Sequence, residues 1–174
     1  IMTLESLVSQ ATYDGVKSLL KQKNKKSKSV YRRDRIINEK RFEIEEKALI
    51  AIATQQPMAT DLRQLAAILD IASELERMGD YAKGIAKINL MIGDEELLDP
   101  LHDLKPMAEV ALDMLQSGVK AFVDRDLEAA QAIPKMDDEV DKYFAKIHVN
   151  LIKQMMNDET TIQQANHLQW AAHN

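Results

Sequence analysis

At 174 residues with a formal charge of −5, the chain is sized for one domain or two small helical units sharing a core, and can bury roughly 70% of its unfolded surface. It has no cysteine, which excludes disulfides and thiolate metal sites, so any metal must sit on oxygen or imidazole. No run of eighteen apolar residues and no charged-then-apolar leader is present, and the basic residues are dispersed except in "KQKNKKSK" from Lys21 to Lys28; a cytoplasmic protein is expected, with no direct membrane insertion and no nucleic-acid partner.

Five glycines and four prolines in so long a chain, with Leu, Ala, Lys, Glu, Met and Gln abundant, predict long helices joined by few turns. Strand signals are absent, so the class is all-α. From about Thr3 a first helix carries Leu4, Leu7, Val8, Ala11 and Leu19 at helical spacing. The lysine run reads as a solvated junction. From about Ser29 the period resumes through Val30, Ile37, Ile44, Ala48 and Ala51 until Pro57 ends the second helix. A third runs from near Thr60 to Ile92 on the stripe Leu62, Leu65, Ile68, Ala72, Leu75, Ala82 and Ile85, and Gly93 and Pro100 bracket a linker. Further helices are predicted from about Leu104, Asp126 and Thr160.

The second half repeats the first. "DGVKSLL" at Asp14 returns as "SGVKAFV" at Ser117, and "VYRRDRIIN" at Val30 returns as "IPKMDDEVD" at Ile133, both displaced by 103 positions. In that register Gly15, Val16, Lys17, Asp34 and Ile44 meet Gly118, Val119, Lys120, Asp137 and Ile147. Two copies of a three-helix unit follow, over residues 1–93 and 94–174, the second expected to stop inside its last helix because the counterparts of Glu76 and Asp80 would fall beyond Asn174.

Those two acids pose the chemical question. In "SELERMGDYAKGIA" Glu76 and Asp80 stand one turn apart beside Gly79; like charges so placed cost a few tenths of a kcal/mol, and a mid-helix glycine costs about 1 kcal/mol relative to alanine. Gly79 would let a neighbouring helix come close, and the second helix offers Asp34 on its apolar stripe with Asn38 one turn on. In the second copy Asp137 and Asp141 hold the corresponding places. An acid on a core stripe needs a partner. Two readings satisfy it: a hard or borderline cation held by oxygens from two antiparallel helices, or salt bridges from Arg33, Arg35, Arg63 and Arg77.

The remaining chemistry-bearing residues favour ordinary roles. His102, His148, His167 and His173 lack the upstream glutamate of Glu-x-x-His, which argues against a carboxylate-bridged metal oxidase. Met107, Met114, Met136, Met155 and Met156 read as core filler near apolar stripes, and Trp170 is expected to pack in the last helix. No Gly-rich phosphate loop, Ser/His/Asp set or nucleophilic cysteine occurs.

"QQPMATDLRQL" from Gln55 followed by "ELERMGDYAKGIA" from Glu74 resembles the signature of the PhoU family of bacterial phosphate-uptake regulators, and "DRIIN" and "DDEVD" resemble its earlier acid-bearing segments. The resemblance covers nearly the whole chain. It implies two three-helix bundle repeats and metal ions, iron or another divalent cation such as Mg, Zn or Ni, on acid-x-x-x-Asp motifs. Matched residue by residue, the ligands would be Glu76 and Asp80 from the third helix, Asp34 and Asn38 from the second, and Asp137 and Asp141 in the second copy. It also implies a cytoplasmic, homodimeric, non-enzymatic negative regulator that links the ATPase subunit of a phosphate ABC transporter to a sensor histidine kinase. This chain departs from the pattern in lacking a second Glu-Arg-x-Gly-Asp and in starting short for the family. A metal-free helical scaffold holding partners on its apolar and methionine-rich faces is the alternative.

Overall fold

A computed structural model describes the backbone of residues 1–174 and the side chains of all but Asp99 and Pro100. Seven α-helices follow in order: α1 Met2–Leu20, α2 Asn24–Gln55, α3 Thr60–Ile92, α4 Leu104–Asp124, α5 Leu127–Ala132, α6 Pro134–Asn157 and α7 Ile162–His173. Short 3-10 segments at Asp99–Asp103 and Glu159–Thr161 precede α4 and α7. No strand occurs among the described residues, and no helix is long and apolar enough to cross a membrane.

The turns have local causes. Lys21 and Gln22 close α1, Gln22 taking a left-handed φ of 47° while the Lys23 amide donates to the Ser18 carbonyl at 2.8 Å. Gln56 does the same at the end of α2, with φ 46°, immediately before Pro57, whose ring disfavours a helical predecessor. Most of the lysine run expected as a junction belongs to α2, which begins at Asn24 and not at Ser29; its lysines are largely at the surface, but Ser27 among them is fully buried. Its hydroxyl lies 2.7 Å from that of Ser18 and accepts from Asn89 Nδ2 at 2.8 Å, so α1, α2 and α3 are tied together under the turn.

The helix bounds keep the register of 103: α1 and α4, α2 and the α5–α6 pair, and the starts of α3 and α7 stand at corresponding positions along the chain. One predicted helix is divided. Asp126 caps α5 by accepting from the Ala129 amide, but Pro134 has no N–H for the Ala130 carbonyl, so the helix breaks at Ile133 and restarts as α6. Residue 31 of the first copy is Tyr, and α2 runs through that point unbroken.

Two clusters form the core. Leu4, Val8 and Ala11 of α1, Val30 and Ile37 of α2, and Ala72, Leu75, Ala82 and Ala86 of α3 make the first, joined by Val119 of α4. The second takes Val16 and Leu19 from α1 and Ile85, Ile88 and Ile92 from α3, and packs them with Leu104, Met107, Ile147, Leu151 and Leu168 of the later helices. Met107 is core and Met155 packs against it, whereas Met156 is exposed. Trp170, expected inside, is half-exposed; it faces outward from α7 with its ring 5.9 Å from that of His167. Leu62 is likewise exposed, because the far ends of α2 and α3 project past the start of α1 as a two-helix hairpin with one face uncovered.

Candidate functional site

The seams of α3 with α2 and with α1 are each set by a glycine. A methyl group on Gly79 would stand 3.0 Å from both Cδ1 and Cγ2 of Ile37, and one on Gly15 would stand 3.0 Å from the Ala82 carbonyl oxygen. Hence α2 and α1 approach α3 more closely than a side chain would allow. Because Ile37 leans on Gly79, Asp34, one turn earlier on the same stripe, is drawn inside as well.

Asp34 is almost wholly buried. Its Oδ2 accepts from Lys83 Nζ at 2.7 Å and from Asn38 Nδ2 at 3.3 Å, and Asn38 also donates to the Asp34 backbone carbonyl at 3.1 Å. The other carboxylate oxygen, Oδ1, is buried with no hydrogen-bond partner. Lys83 reaches Asp80 Oδ1 at 3.2 Å with the same ammonium, and its Nζ lies 5.6 Å from the centre of the Tyr31 ring. The hydrogen bond to Asp34 lifts the Lys83 ammonium above its ordinary value of 10.5, against the opposing effect of burial.

Of the six expected ligands the structure therefore brings three together, Asp34, Asn38 and Asp80, around a lysine. Glu76 is half-buried on α3, and its side chain makes no hydrogen bond or ion pair among the described residues. Asp137 and Asp141 are exposed on α6. Among the described residues no three acids or histidines converge as a metal cage. Asn38 turns its NH2, not its oxygen, toward Asp34.

The salt bridges expected from arginine go elsewhere. Arg33 lies 3.6 Å from Asp14, Arg35 pairs with Glu39 and Arg77 with Glu74. The neutralising cation for Asp34 is Lys83, three positions after Asp80 and four after Gly79, so the i, i+3 spacing on the Gly79 face was the available signal. A second buried acid, Asp14, is held by Lys26 Nζ at 2.6 Å. It belongs to the repeated "DGVKSLL", but its counterpart Ser117 carries no charge.

The unpartnered Oδ1 of Asp34, on a carboxylate that shares its lysine with Asp80, is the feature that fits a metal: it is an oxygen ligand desolvated in advance and lacking the contact that would offset its burial. Asp34 and Asp80 would be the charged donors, and the ion would supply the positive charge that otherwise comes from Lys83.

Fold and seam together define an all-α bundle built from two copies of a three-helix unit, with one buried acid, Asp34, on the second helix of the first unit facing the third. The family model described as "PhoU domain" matches residues 1–88 and 104–174. The chain belongs to the PhoU family. It is 31% identical over 165 residues to the phosphate-specific transport system accessory protein PhoU homolog of Clostridium acetobutylicum, covering 94% of this chain and 75% of that protein. It is 30% identical over 172 residues to the Aquifex aeolicus protein of the same name, covering 99% of this chain and 78% of the other. The crystal structure of PhoU from Pseudomonas aeruginosa superimposes with a TM-score of 0.92 at 25% identity over 99% of this chain and 83% of that one. That of the phosphate transport system regulatory protein PhoU from Streptococcus pneumoniae gives 0.88 at 26% identity, over 98% and 80%.

Proposed function

We propose that this protein is a regulatory accessory protein of phosphate uptake that acts by binding and not by turnover. The observation that carries the proposal is its kinship, over nearly its whole length, with proteins named as accessory to phosphate-specific transport. In this reading it works in the cytoplasm as a dimer of two-unit chains, residues 1–93 and 94–174. It restrains the phosphate ABC transporter through the ATPase subunit and keeps the associated sensor histidine kinase silent when phosphate is plentiful. At the α2–α3 seam it takes a divalent cation, iron, Mg, Zn or Ni, on Asp34 and Asp80, with Asn38 and Glu76 as flanking donors and Asp137 and Asp141 as their counterparts in the second unit.

A metal-free adaptor is favoured by one observation, that Lys83 already ion-pairs with both Asp34 and Asp80. Both versions predict the same binding behaviour. Co-purification of the chain with the transporter ATPase subunit and, separately, with the kinase's cytoplasmic portion is expected in phosphate-replete buffer. Failure to retain either partner at micromolar concentrations would remove the accessory role, as would release of phosphate from simple esters that is lost on Asp80→Asn.

A further inference from the structure

The seam already contains a cation, and its geometry says what a metal ion must do to enter. Lys83 places one ammonium on both carboxylates, 2.7 Å from Asp34 Oδ2 and 3.2 Å from Asp80 Oδ1. The two acids differ in how tightly they are held. Asp34 lies on the core stripe with 11% of its side chain exposed, whereas Lys83 keeps 30% and Asp80 51%. Asp34 therefore cannot move to water without uncovering the seam, but Lys83 can, since a flexible four-carbon stem carries its strongly hydrated head. A divalent ion arriving beside Asp34 Oδ1 would meet Lys83 on the other oxygen of the same carboxylate, and two positive centres so close in a partly buried seam repel strongly.

We propose that Lys83 is a displaceable internal cation that regulates this site: a divalent metal binds by exchange with its ammonium, which leaves Asp34 and Asp80 for solvent, and Lys83 returns when the metal departs. This rests on the metal reading of the seam. Two carboxylates and one ammonium leave the metal-free site with a single net negative charge, so the buried acid is never uncompensated. The same ammonium subtracts from metal affinity, because the ion must break its hydrogen bonds before it can use the oxygens. Lys83 is thus no ligand, but a competitor built into the sequence between the Asp80 turn and Gly84. Asp34 has one oxygen engaged and one empty, the arrangement expected of a carboxylate serving two cations in turn.

The probe is Mn2+, followed by loss of its free-ion EPR signal, against the wild type, Lys83→Gln, Lys83→Arg and Asp34→Asn/Asp80→Asn. Lys83→Gln removes the competing charge and should bind Mn2+ roughly tenfold more tightly than wild type; Lys83→Arg retains it and should stay near wild type. The double acid variant should lose the site while keeping any scattered surface binding. Independently of any variant's folding, saturating Mn2+ should increase acylation of Lys83 in the wild type by an amine-reactive ester, read by mass spectrometry. Equal or weaker Mn2+ binding by Lys83→Gln, or Lys83 acylation that Mn2+ leaves unchanged or lowers, would overturn the exchange while leaving the metal site standing. If neither wild type nor Lys83→Gln binds Mn2+ beyond the double acid variant, the metal reading itself fails and the exchange with it.

Discussion

Glu43 lies on the solvent side of α2 between Lys40 and Lys47, each donating an ammonium hydrogen bond at 2.6 Å. These bonds hold its carboxyl at about 2, below the usual 4.5. A depressed folded-state value means that the contribution to stability is present above pH 4.5 and is lost as the pH falls toward 2. Because the group is exposed, salt screens it and the contribution is small. Glu43→Gln should melt slightly below wild type at pH 6 in low salt, and the gap should close on acidification to pH 2. A gap that stays constant over that range would show that the two lysines do not set the Glu43 titration. Pairs such as this are readable from i, i+3 and i, i+4 spacing, since both partners share one helix. Asp34 and Lys83 are 49 positions apart, and no spacing rule joins them.

Between elements, the glycines decide distances that residue types on their own do not. Helix propensity alone would make either Gly→Ala substitution favourable by about 1 kcal/mol. Packing opposes it. At Gly15 the new methyl meets a backbone oxygen, Ala82 O at 3.0 Å, which can retreat only by moving α3; at Gly79 it meets two branches of Ile37, a stiff but movable side chain. Overpacking of this kind costs about 1–3 kcal/mol. Gly15→Ala should therefore destabilise more than Gly79→Ala, the first by about 1–2 kcal/mol net and the second by less than about 1 kcal/mol. Chemical denaturation of both variants gives the order, and a Gly15→Ala protein as stable as wild type would mean that α1 and α3 are not held at glycine distance. Gly79 was visible in the sequence as a helix breaker beside two acids. That its contact is Ile37, and that Asp80 shares Lys83 with Asp34 while Glu76 makes no ion pair, depends on the rotation of α3 about its axis, which apolar periodicity fixes only to within a residue or so.

Across the molecule, the two repeats do not have separate cores. Leu168 of α7 is fully buried in a cluster that also contains Leu19 of α1 and Ile88 of α3. Leu168→Ala should cost about 2–5 kcal/mol and lower the melting temperature of the whole chain as one transition, by roughly 2–4 °C per kcal/mol at this size. Calorimetry would contradict a shared core if residues 1–93 melted at the wild-type temperature and only the remainder moved. Apolar periodicity announced six helices, of which the fifth is divided at Pro134 and the second begins five residues early at Asn24, and internal similarity announced the duplication. Neither said that α1 of one copy would lie between both clusters.

The sequence by itself determined the class, most of the helix starts and the register of 103, because these depend on local propensity, on proline and glycine, and on the period of the apolar stripe; the early start of α2 at Asn24 and the break at Pro134 were missed. It also determined that an acid at position 34 would face the core and need a cation. Only the tertiary structure decided which cation. Lys83 reaches Asp34 because Gly79 brings α2 against α3 at that level, whereas Asp137, in the same local pattern on α6, is exposed. A helix pattern specifies what faces inward; what it meets there is set by the length and approach of the neighbouring helices, and these involve residues far apart in the chain.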